Sequence, residues 1–235
     1  MQRELTLQDI YRARQRIAGL ALRTPLVRSE SLSRRWGCEA WLKLDCLQPT
    51  GAFKLRGAVN ALLGLDAEQR QRGVVTMSTG NFGRALAYAG QHLGIPVKVC
   101  ISRLVPDNKV EALRQSGADL VIHGDAQDEA DVEARRLRDE HGLAYVSPFD
   151  DPLVIAGQGT CGLEIMEEQP DTDLIFAGLS GGGLIAGIGL AVKTINPRAE
   201  VIGVSMNEGA AMLDSLAAGH PVQVPEVASL ADSLG

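Results

Sequence analysis

The sequence predicts an α/β protein in which helices cover an open parallel sheet. Strand and helix patterns alternate through short connections, and glycine or proline stands at most of the joints between them. Composition agrees with this fold class. Aromatic residues make up 4% of the chain, and alanine, valine, leucine and glycine are abundant, which suits closely packed α/β layers better than a β-sandwich. With 235 residues the chain allows one large domain or two small ones.

The first part of the chain is expected to hold three helices and a strand. Thr6 and Asp9 form the start of a capping box, and apolar residues at helical spacing follow them. A short helix over residues 29–36 has a serine at its start and a glycine after its end. Residues 40–44 are a strand candidate, and a third helix begins at Lys54.

Beyond residue 72 the two kinds of element alternate regularly. Gly94 and Gly117 are placed to end helices, and Pro106 to begin one. Residues 73–147 are expected to form a small α/β domain. The predicted strands are 74–77, 97–101, 119–122, 144–146, 173–177 and 201–204, and the predicted helices are 81–93, 107–116, 125–141, 152–169, 184–195 and 209–218.

Charge and composition argue against several classes of protein. The net charge is −6 and the basic residues are scattered, which indicates neither a nucleic-acid nor a membrane partner. The N-terminus lacks the apolar core of a signal peptide, and the longest apolar run, 181–192, is too short to span a bilayer. The four cysteines lie far apart, and no His, Cys and carboxylate group has metal-site spacing. A cytoplasmic protein without a metal is expected.

Lys54 is the first candidate for chemistry. It follows a turn over residues 49–51 and the aromatic Phe53, and it stands where a helix begins. The macrodipole disfavours an ammonium at that end of a helix, so the amine loses its proton more readily and can attack a carbonyl carbon. A solvated lysine is the plain alternative.

The loop Ser78-Thr79-Gly80-Asn81 lies between a predicted strand and a predicted helix. Its hydroxyls, its amide and the N–H groups of the helix start suit a carboxylate or a ring oxygen. A plain helix cap with a glycine turn is the alternative interpretation.

A second loop, residues 179–184, contains three consecutive glycines that let the backbone approach a phosphate closely. It also fits a dinucleotide fingerprint, but Ser205 stands where that motif needs an acidic residue. As a hydrolase nucleophile elbow it would use Ser180, with only His220 as a base. A phosphate site without a nucleotide fits this loop best.

A third stretch begins with Asp150, Asp151 and Pro152 and continues into a helix that contains Gly157 and Gly159. An acidic residue before a proline is typical of a helix start. Small residues inside the helix allow a neighbouring backbone to come close. This stretch predicts helix capping and close helix packing.

An amine, a donor for a ring oxygen and a phosphate loop, in this order, are what pyridoxal phosphate needs. From about Thr6 to its end the chain resembles the threonine/serine dehydratase and serine racemase group of fold-type II pyridoxal phosphate enzymes. The resemblance implies a homodimer of tryptophan synthase β-like architecture, with a large cofactor-binding domain (1–72 and 148–235) and a small one (73–147). The family pattern runs on further, so the large domain is expected to be incomplete at its C-terminus. The matching stretches are 48–58, 78–81, 149–160 and 180–187.

Within that group the chain is most similar to the hydroxyectoine-utilisation dehydratase branch. The resemblance implies a lyase that eliminates water and ammonia from a small hydroxy amino acid or a hydroxyectoine-related compound. The stretches typical of the branch are 102–106, 179–183, 201–206 and 230–235.

The resemblance also implies a role for each matching residue. Lys54 would hold the cofactor as a Schiff base and then take the substrate α-proton, with Phe53 beside the ring and Asn81 on its 3-oxygen. The phosphate would be bound by the backbone N–H groups of Ser180, Gly181, Gly182, Gly183 and Leu184. The substrate carboxylate would be held by Ser78, Thr79, Gly80 and Asn81.

The chain departs from the family pattern close to these residues. Ala52 stands where serine is usual, Phe82 where histidine is usual and Arg84 where glutamine is common. Because Phe82 and Arg84 flank the carboxylate-binding loop, the substrate is expected to differ from threonine or serine. The acidic metal ligands of the racemases map onto Ser205 and Ala211, so no such metal site is expected.

Two other functions stay open. A serine hydrolase would use Ser180 and His220, although its triad lacks a convincing acid and base. A catalytically degenerate protein would bind pyridoxal phosphate without turning over a substrate.

Overall fold

A computed structural model of the chain describes residues 3–224, Ala231 and Leu234. Helices and strands alternate along it, and a short 3₁₀ helix, Asp45–Leu47, leads toward Lys54. The strands are β1 (Leu26–Arg28), β2 (Trp41–Lys43), β3 (Val74–Met77), β4 (Val97–Ile101), β5 (Asp119–Ile122), β6 (Ala144–Tyr145), β7 (Leu174–Gly178) and β8 (Glu200–Val204). The helices are α1 (Leu7–Ile17), α2 (Glu30–Trp36), α3 (Lys54–Gly64), α4 (Ala67–Arg72), α5 (Asn81–Leu93), α6 (Asp107–Gln115), α7 (Gln127–His141), α8 (Pro152–Glu168), α9 (Gly183–Ile195) and α10 (Ala211–Ala218).

The α/β fold class and most elements are confirmed, and β3, β4, β5 and α5 have the predicted bounds. The prediction for α7 was wrong at its start, because Asp125 lies outside the helix and its carboxylate pairs with Arg103. Two short elements, β1 and α4, were not predicted, and β1 pairs with β2 in an antiparallel ladder. Of the branch-specific stretch 230–235, only Ala231 and Leu234 belong to the described residues.

The small α/β unit is built on a parallel sheet with the strand order β5-β4-β3-β6. Because successive strand residues face opposite sides, Val74 lies in the core shared with α3 and α5, while Val75 lies in the core shared with α7. The first of these cores contains residues of α3, which precede residue 73 in the sequence, as well as residues of the sheet, which follow it. The division into two domains at residues 73 and 147 stays a prediction.

Helix α8 is the central element of the remaining part of the chain. Its residues pack between α3, α1 and α9, and the parallel pair β7 and β8 packs against α8 and α9. A Cβ atom on Gly157 would lie 2.6 Å from the Arg56 carbonyl oxygen, and one on Gly187 would lie 2.6 Å from the Gly159 nitrogen. The close helix packing predicted for this glycine-bearing stretch is confirmed.

Arg56, two residues after Lys54, is fully buried where α3 meets α8. Its guanidinium forms two hydrogen bonds of 2.8 Å with Asp45, and bonds of 2.6 and 2.9 Å with Glu164 of α8. Lys43 of β2 forms an ion pair of 2.7 Å with the same Glu164 carboxylate and donates a hydrogen bond of 2.6 Å to the Thr24 carbonyl oxygen. This ion cluster, formed by Lys43, Asp45, Arg56 and Glu164, ties α3 to α8, to β2 and to the 3₁₀ helix.

Neither a membrane span nor a metal cluster is present in the part of the chain that the structure describes. Within residues 3–224, no helix has the length and hydropathy needed to cross a bilayer. Over the same described part, no three His, Cys, Asp or Glu side chains are grouped so that they could hold a metal ion.

Candidate active site

Lys54 and the glycine loop meet on one short segment, Pro148 and Phe149, just before α8. The Lys54 Nζ donates a hydrogen bond of 2.8 Å to the Pro148 carbonyl oxygen. A Cβ atom on Gly181 would lie 2.3 Å from the Phe149 ring, and one on Gly183 would lie 2.6 Å from the Phe149 carbonyl oxygen. Residues about 30 to 130 positions apart in the sequence are thereby brought to one place.

Lys54 is the first residue of α3 and is half-buried between two aromatic rings. Its Nζ lies 5.2 Å from the centre of the Phe53 ring and 5.8 Å from that of Phe82. No carboxylate among the described residues forms an ion pair with it, and burial lowers the pKa of Lys54 from 10.5 to about 8. This amine is much closer to being neutral at physiological pH than an exposed lysine.

The pKa of Lys54 leads to an expected pH dependence of its reaction with an aldehyde. Because burial favours the neutral amine, the rate of covalent capture of pyridoxal phosphate should rise about tenfold from pH 7 to pH 9 and then level off. The amine of Nα-acetyllysine amide, measured beside it, should become about a hundredfold more reactive over the same range without levelling. Stopped-flow absorbance checks both, and parallel pH profiles for the two amines would contradict the prediction.

The loop that carries Ser78, Thr79, Gly80 and Asn81 lies at the start of α5. The Ser78 Oγ accepts hydrogen bonds from the N–H of Gly83 at 3.0 Å and of Gly80 at 3.4 Å, so it caps the helix and keeps its own O–H as a donor. Thr79 and Asn81 are half-buried, and their side chains form no hydrogen bond with any residue in the described part. Both are available to a ligand.

Phe82 and Arg84, which the sequence places beside this loop, differ in their surroundings. Phe82 is buried in the core that α3 and α5 share, with its ring toward the Lys54 amine. Arg84 is half-buried one helical turn after Asn81. Only Arg84 brings a charge to this end of α5.

The glycines of the loop 179–184 are required by the backbone conformation and by close packing. Gly182 adopts the left-handed φ of +86° and caps the start of α9, a conformation that residues with a Cβ rarely adopt. Gly181 and Gly183 leave no room for side chains because Phe149 lies against them. The loop is therefore held closely at the N-terminus of α9, where backbone N–H groups are exposed.

The helices that begin at this site lack acidic residues in their first turns. This holds for α3, α5 and α9, and for α8, although the cap residue Asp151 places a carboxylate at the start of α8. The first turns of α1, α2, α4, α6, α7 and α10 each carry at least one carboxylate. Three helix N-termini without neutralising carboxylates make the site attractive to anions. A buried amine beside anion-binding loops fits pyridoxal phosphate, which carries an aldehyde and a phosphate.

Pro148 and Phe149 were given no role in the site from the sequence: Phe149 was only the first residue of the matching stretch 149–160, and Asp150 and Asp151 were interpreted as a helix start. That interpretation was correct for Asp151, whose carboxylate accepts hydrogen bonds from the N–H groups of Leu153 and Val154. No local signal marks the Pro148 carbonyl as a partner of Lys54. The hydrolase alternative gains no support, since no hydrogen bond joins Ser180 to His220, both of which the structure describes.

Comparison with known proteins shows the family of the chain. Residues 17–235 match the family described as "Pyridoxal-phosphate dependent enzyme". The chain is 53% identical over 231 residues to "Putative threonine dehydratase" of Sinorhizobium fredii, covering 98% of this chain and 70% of that protein. It is 42% identical over 230 residues to L-threonine ammonia-lyase of Thermotoga maritima, covering 57% of that protein. The structure of maize serine racemase superposes with a TM-score of 0.92 at 36% identity and covers 97% of this chain and 70% of the racemase chain.

Proposed function

Since this chain belongs to the family of pyridoxal-phosphate dependent enzymes, in its fold-type II threonine dehydratase and serine racemase group, we propose that it is a lyase acting on a small hydroxy amino acid. The proposed reaction removes the β-hydroxyl as water and, after hydrolysis, yields a 2-oxo acid and ammonia. One observation carries the proposal: the Lys54 amine, with its lowered pKa, donates to the Pro148 carbonyl next to Phe149, which lies against the glycine loop. The chain spans 57% of the length of that ammonia-lyase.

Each part of the site has a task in this reaction. Pyridoxal phosphate supplies an aldehyde that links to amines and a ring that withdraws electrons from the carbon next to the bound nitrogen. Lys54 would provide the amine that holds the cofactor, and its Nζ would accept the α-proton of the substrate. Thr79, Asn81 and the Ser78 O–H donate hydrogen bonds to the substrate carboxylate, which fixes the α-carbon in reach of Lys54.

The glycine loop and the aromatic residues position the cofactor. The N–H groups from Ser180 to Leu184 would bind the phosphate at the N-terminus of α9, where the helix dipole favours an anion. Phe53 would lie beside the cofactor ring, and the Asn81 amide would donate a hydrogen bond to the ring oxygen. Burial lowers the pKa of the Lys54 amine, and the rings of Phe53 and Phe82 lie next to that amine.

We extend the proposal to hydroxyectoine-derived substrates and to a homodimer. The sequence resembles the hydroxyectoine-utilisation branch at 102–106 and at 201–206. The amine of hydroxyectoine belongs to a ring and cannot link to the cofactor as a primary amine does, so a ring-opened derivative is the form proposed here. A measured molecular mass twice that of the 25.0 kDa chain would support the dimer.

The proposed function is tested by product formation. Purified protein is loaded with pyridoxal phosphate, freed of excess cofactor and given L-serine or L-threonine, and 2-oxo acid and ammonia are measured over time. We expect both products in equal amounts and in proportion to the bound cofactor. Bound cofactor without product from any hydroxy amino acid would favour the catalytically degenerate alternative. A folded protein that takes up no cofactor would contradict the proposal.

A further inference from the structure

We propose that Arg84 binds a second acidic group on the substrate, so that a hydroxylated dicarboxylic amino acid is preferred over serine and threonine. This inference rests on the proposed function and deepens it by naming the class of substrate.

Arg84 differs from the other arginines in the described part of the chain. It is half-buried, yet its guanidinium forms no hydrogen bond, ion pair or ring contact with any described residue. Each of the other arginines in residues 3–224 either has a side-chain partner or is exposed to water. Those without a partner, all exposed, are Arg16, Arg34, Arg35, Arg114 and Arg198. A partly desolvated guanidinium without a partner is costly, which is expected where a ligand supplies the partner.

The position of Arg84 directs its side chain toward the candidate site. Helix α5 begins at Asn81, so Arg84 is the fourth residue of the helix and lies on the same face as Asn81. Side chains of an α-helix point back toward its N-terminus, so the surface that Arg84 covers lies over the preceding turn. That turn carries Asn81 and follows the loop Ser78–Gly80, where the substrate carboxylate is proposed to bind.

The electrostatics of α5 also favour an anion beside Arg84. A cation in the first turn of a helix adds to the positive end of the macrodipole, so it lowers the stability of the free protein. The first turn of α5 contains no acidic residue that could offset Arg84. An arginine here is better explained by a bound anion than by stability.

Two carboxylates on one substrate fit this arrangement. The α-carboxylate would accept hydrogen bonds from Thr79, Asn81 and the helix start, and the distal carboxylate would accept a two-pronged pair of hydrogen bonds from the Arg84 guanidinium. The β-hydroxyl lies on the carbon between them and leaves as water in the proposed reaction. 3-Hydroxyaspartate is a compound of this class.

The test compares L-aspartate with L-asparagine, which have nearly the same shape but differ by one negative charge. Neither carries a β-hydroxyl, so neither can be dehydrated, and dissociation constants follow from the change in the visible absorbance of the cofactor-loaded protein. We expect aspartate to bind about tenfold to a hundredfold more tightly than asparagine, as for one charge-assisted hydrogen-bonded pair. The ratio should fall to about one in Arg84→Gln and be partly kept in Arg84→Lys. Arg114→Gln, which removes an exposed charge from α6, should keep the parent ratio.

A kinetic comparison adds a second readout. The parent should have a higher kcat/KM for 3-hydroxyaspartate than for threonine, and Arg84→Gln should reverse that order. A cofactor-loaded parent that binds aspartate and asparagine equally would overturn the inference and leave the proposed function intact. If the Arg84→Gln variant still bound aspartate more tightly than asparagine, the inference would also be overturned and the proposed function would stay intact. A folded parent protein without any cofactor absorbance band would overturn both the inference about Arg84 and the proposed function.

Discussion

Replacing Lys54 by alanine should abolish the visible absorbance band that the parent develops with pyridoxal phosphate. The variant loses the amine that holds the cofactor and the base that takes the α-proton. Loss of the base alone should lower the rate of 2-oxo acid formation by about 10²–10⁴-fold. Absorbance spectroscopy of the purified variant and a 2-oxo acid assay measure the two effects independently.

The matched control for this prediction is Lys193→Ala. Lys193 of α9 also donates to backbone carbonyl groups, those of Pro197 and Ala199, but it is exposed. Its removal should leave the absorbance band and the rate unchanged. A band of parental intensity in a folded Lys54→Ala protein would show that another amine holds the cofactor, and the assignment of Lys54 would be wrong.

The sequence predicted the elements whose ends are marked by local chemistry. The capping box of Thr6 and Asp9 begins α1, and Gly37 and Gly94 end α2 and α5 in the left-handed conformation. These signals act within four residues, so they can be recognised in the sequence alone. Strand β1 was missed because three residues carry almost no alternating pattern, and only its antiparallel pairing with β2 defines it.

The site could be predicted only as separate pieces. Lys54 and the two loops have residue types that point to their chemistry, but their convergence depends on packing between distant parts of the chain. The Pro148 carbonyl oxygen lies 94 residues from its Lys54 partner, and the contact of Phe149 with Gly181 and Gly183 depends on how α8 and α9 pack. Nothing in the local sequence distinguishes that carbonyl from any other.

Arg56 was missed for a related reason. In sequence it resembles any helix arginine, and its burial follows only from the meeting of α3 with α8 and with Asp45. Burial by itself would raise the pKa of Asp45, but the hydrogen bonds and charge of Arg56 lower it below its ordinary value. The pKa of Arg56 is raised in turn by its two carboxylate partners, although burial acts in the opposite direction. Both groups therefore stay charged in the folded chain.

Arg56→Met is expected to be the most destabilising of the substitutions considered. It leaves Asp45 and Glu164 buried with only Lys43 to offset them, and breaking such a buried cluster should lower the free energy of unfolding by about 3–5 kcal/mol. Urea unfolding followed by circular dichroism measures this loss. Because α3 also carries Lys54, cofactor uptake should weaken in the same variant even under conditions where it stays folded.

Two further variants separate loss of charge balance from loss of packing. Arg72→Met removes an arginine whose exposed pair with Glu68 spans one helical turn of α4, and it should cost at most about 1 kcal/mol. Arg56→Met combined with Glu164→Met leaves one cation, Lys43, beside one anion, Asp45, so it should be more stable than Arg56→Met alone. If Arg56→Met were no less stable than Arg72→Met, the buried cluster would not hold α3 against α8. Lys54 would then be positioned by the glycine contacts between those helices instead.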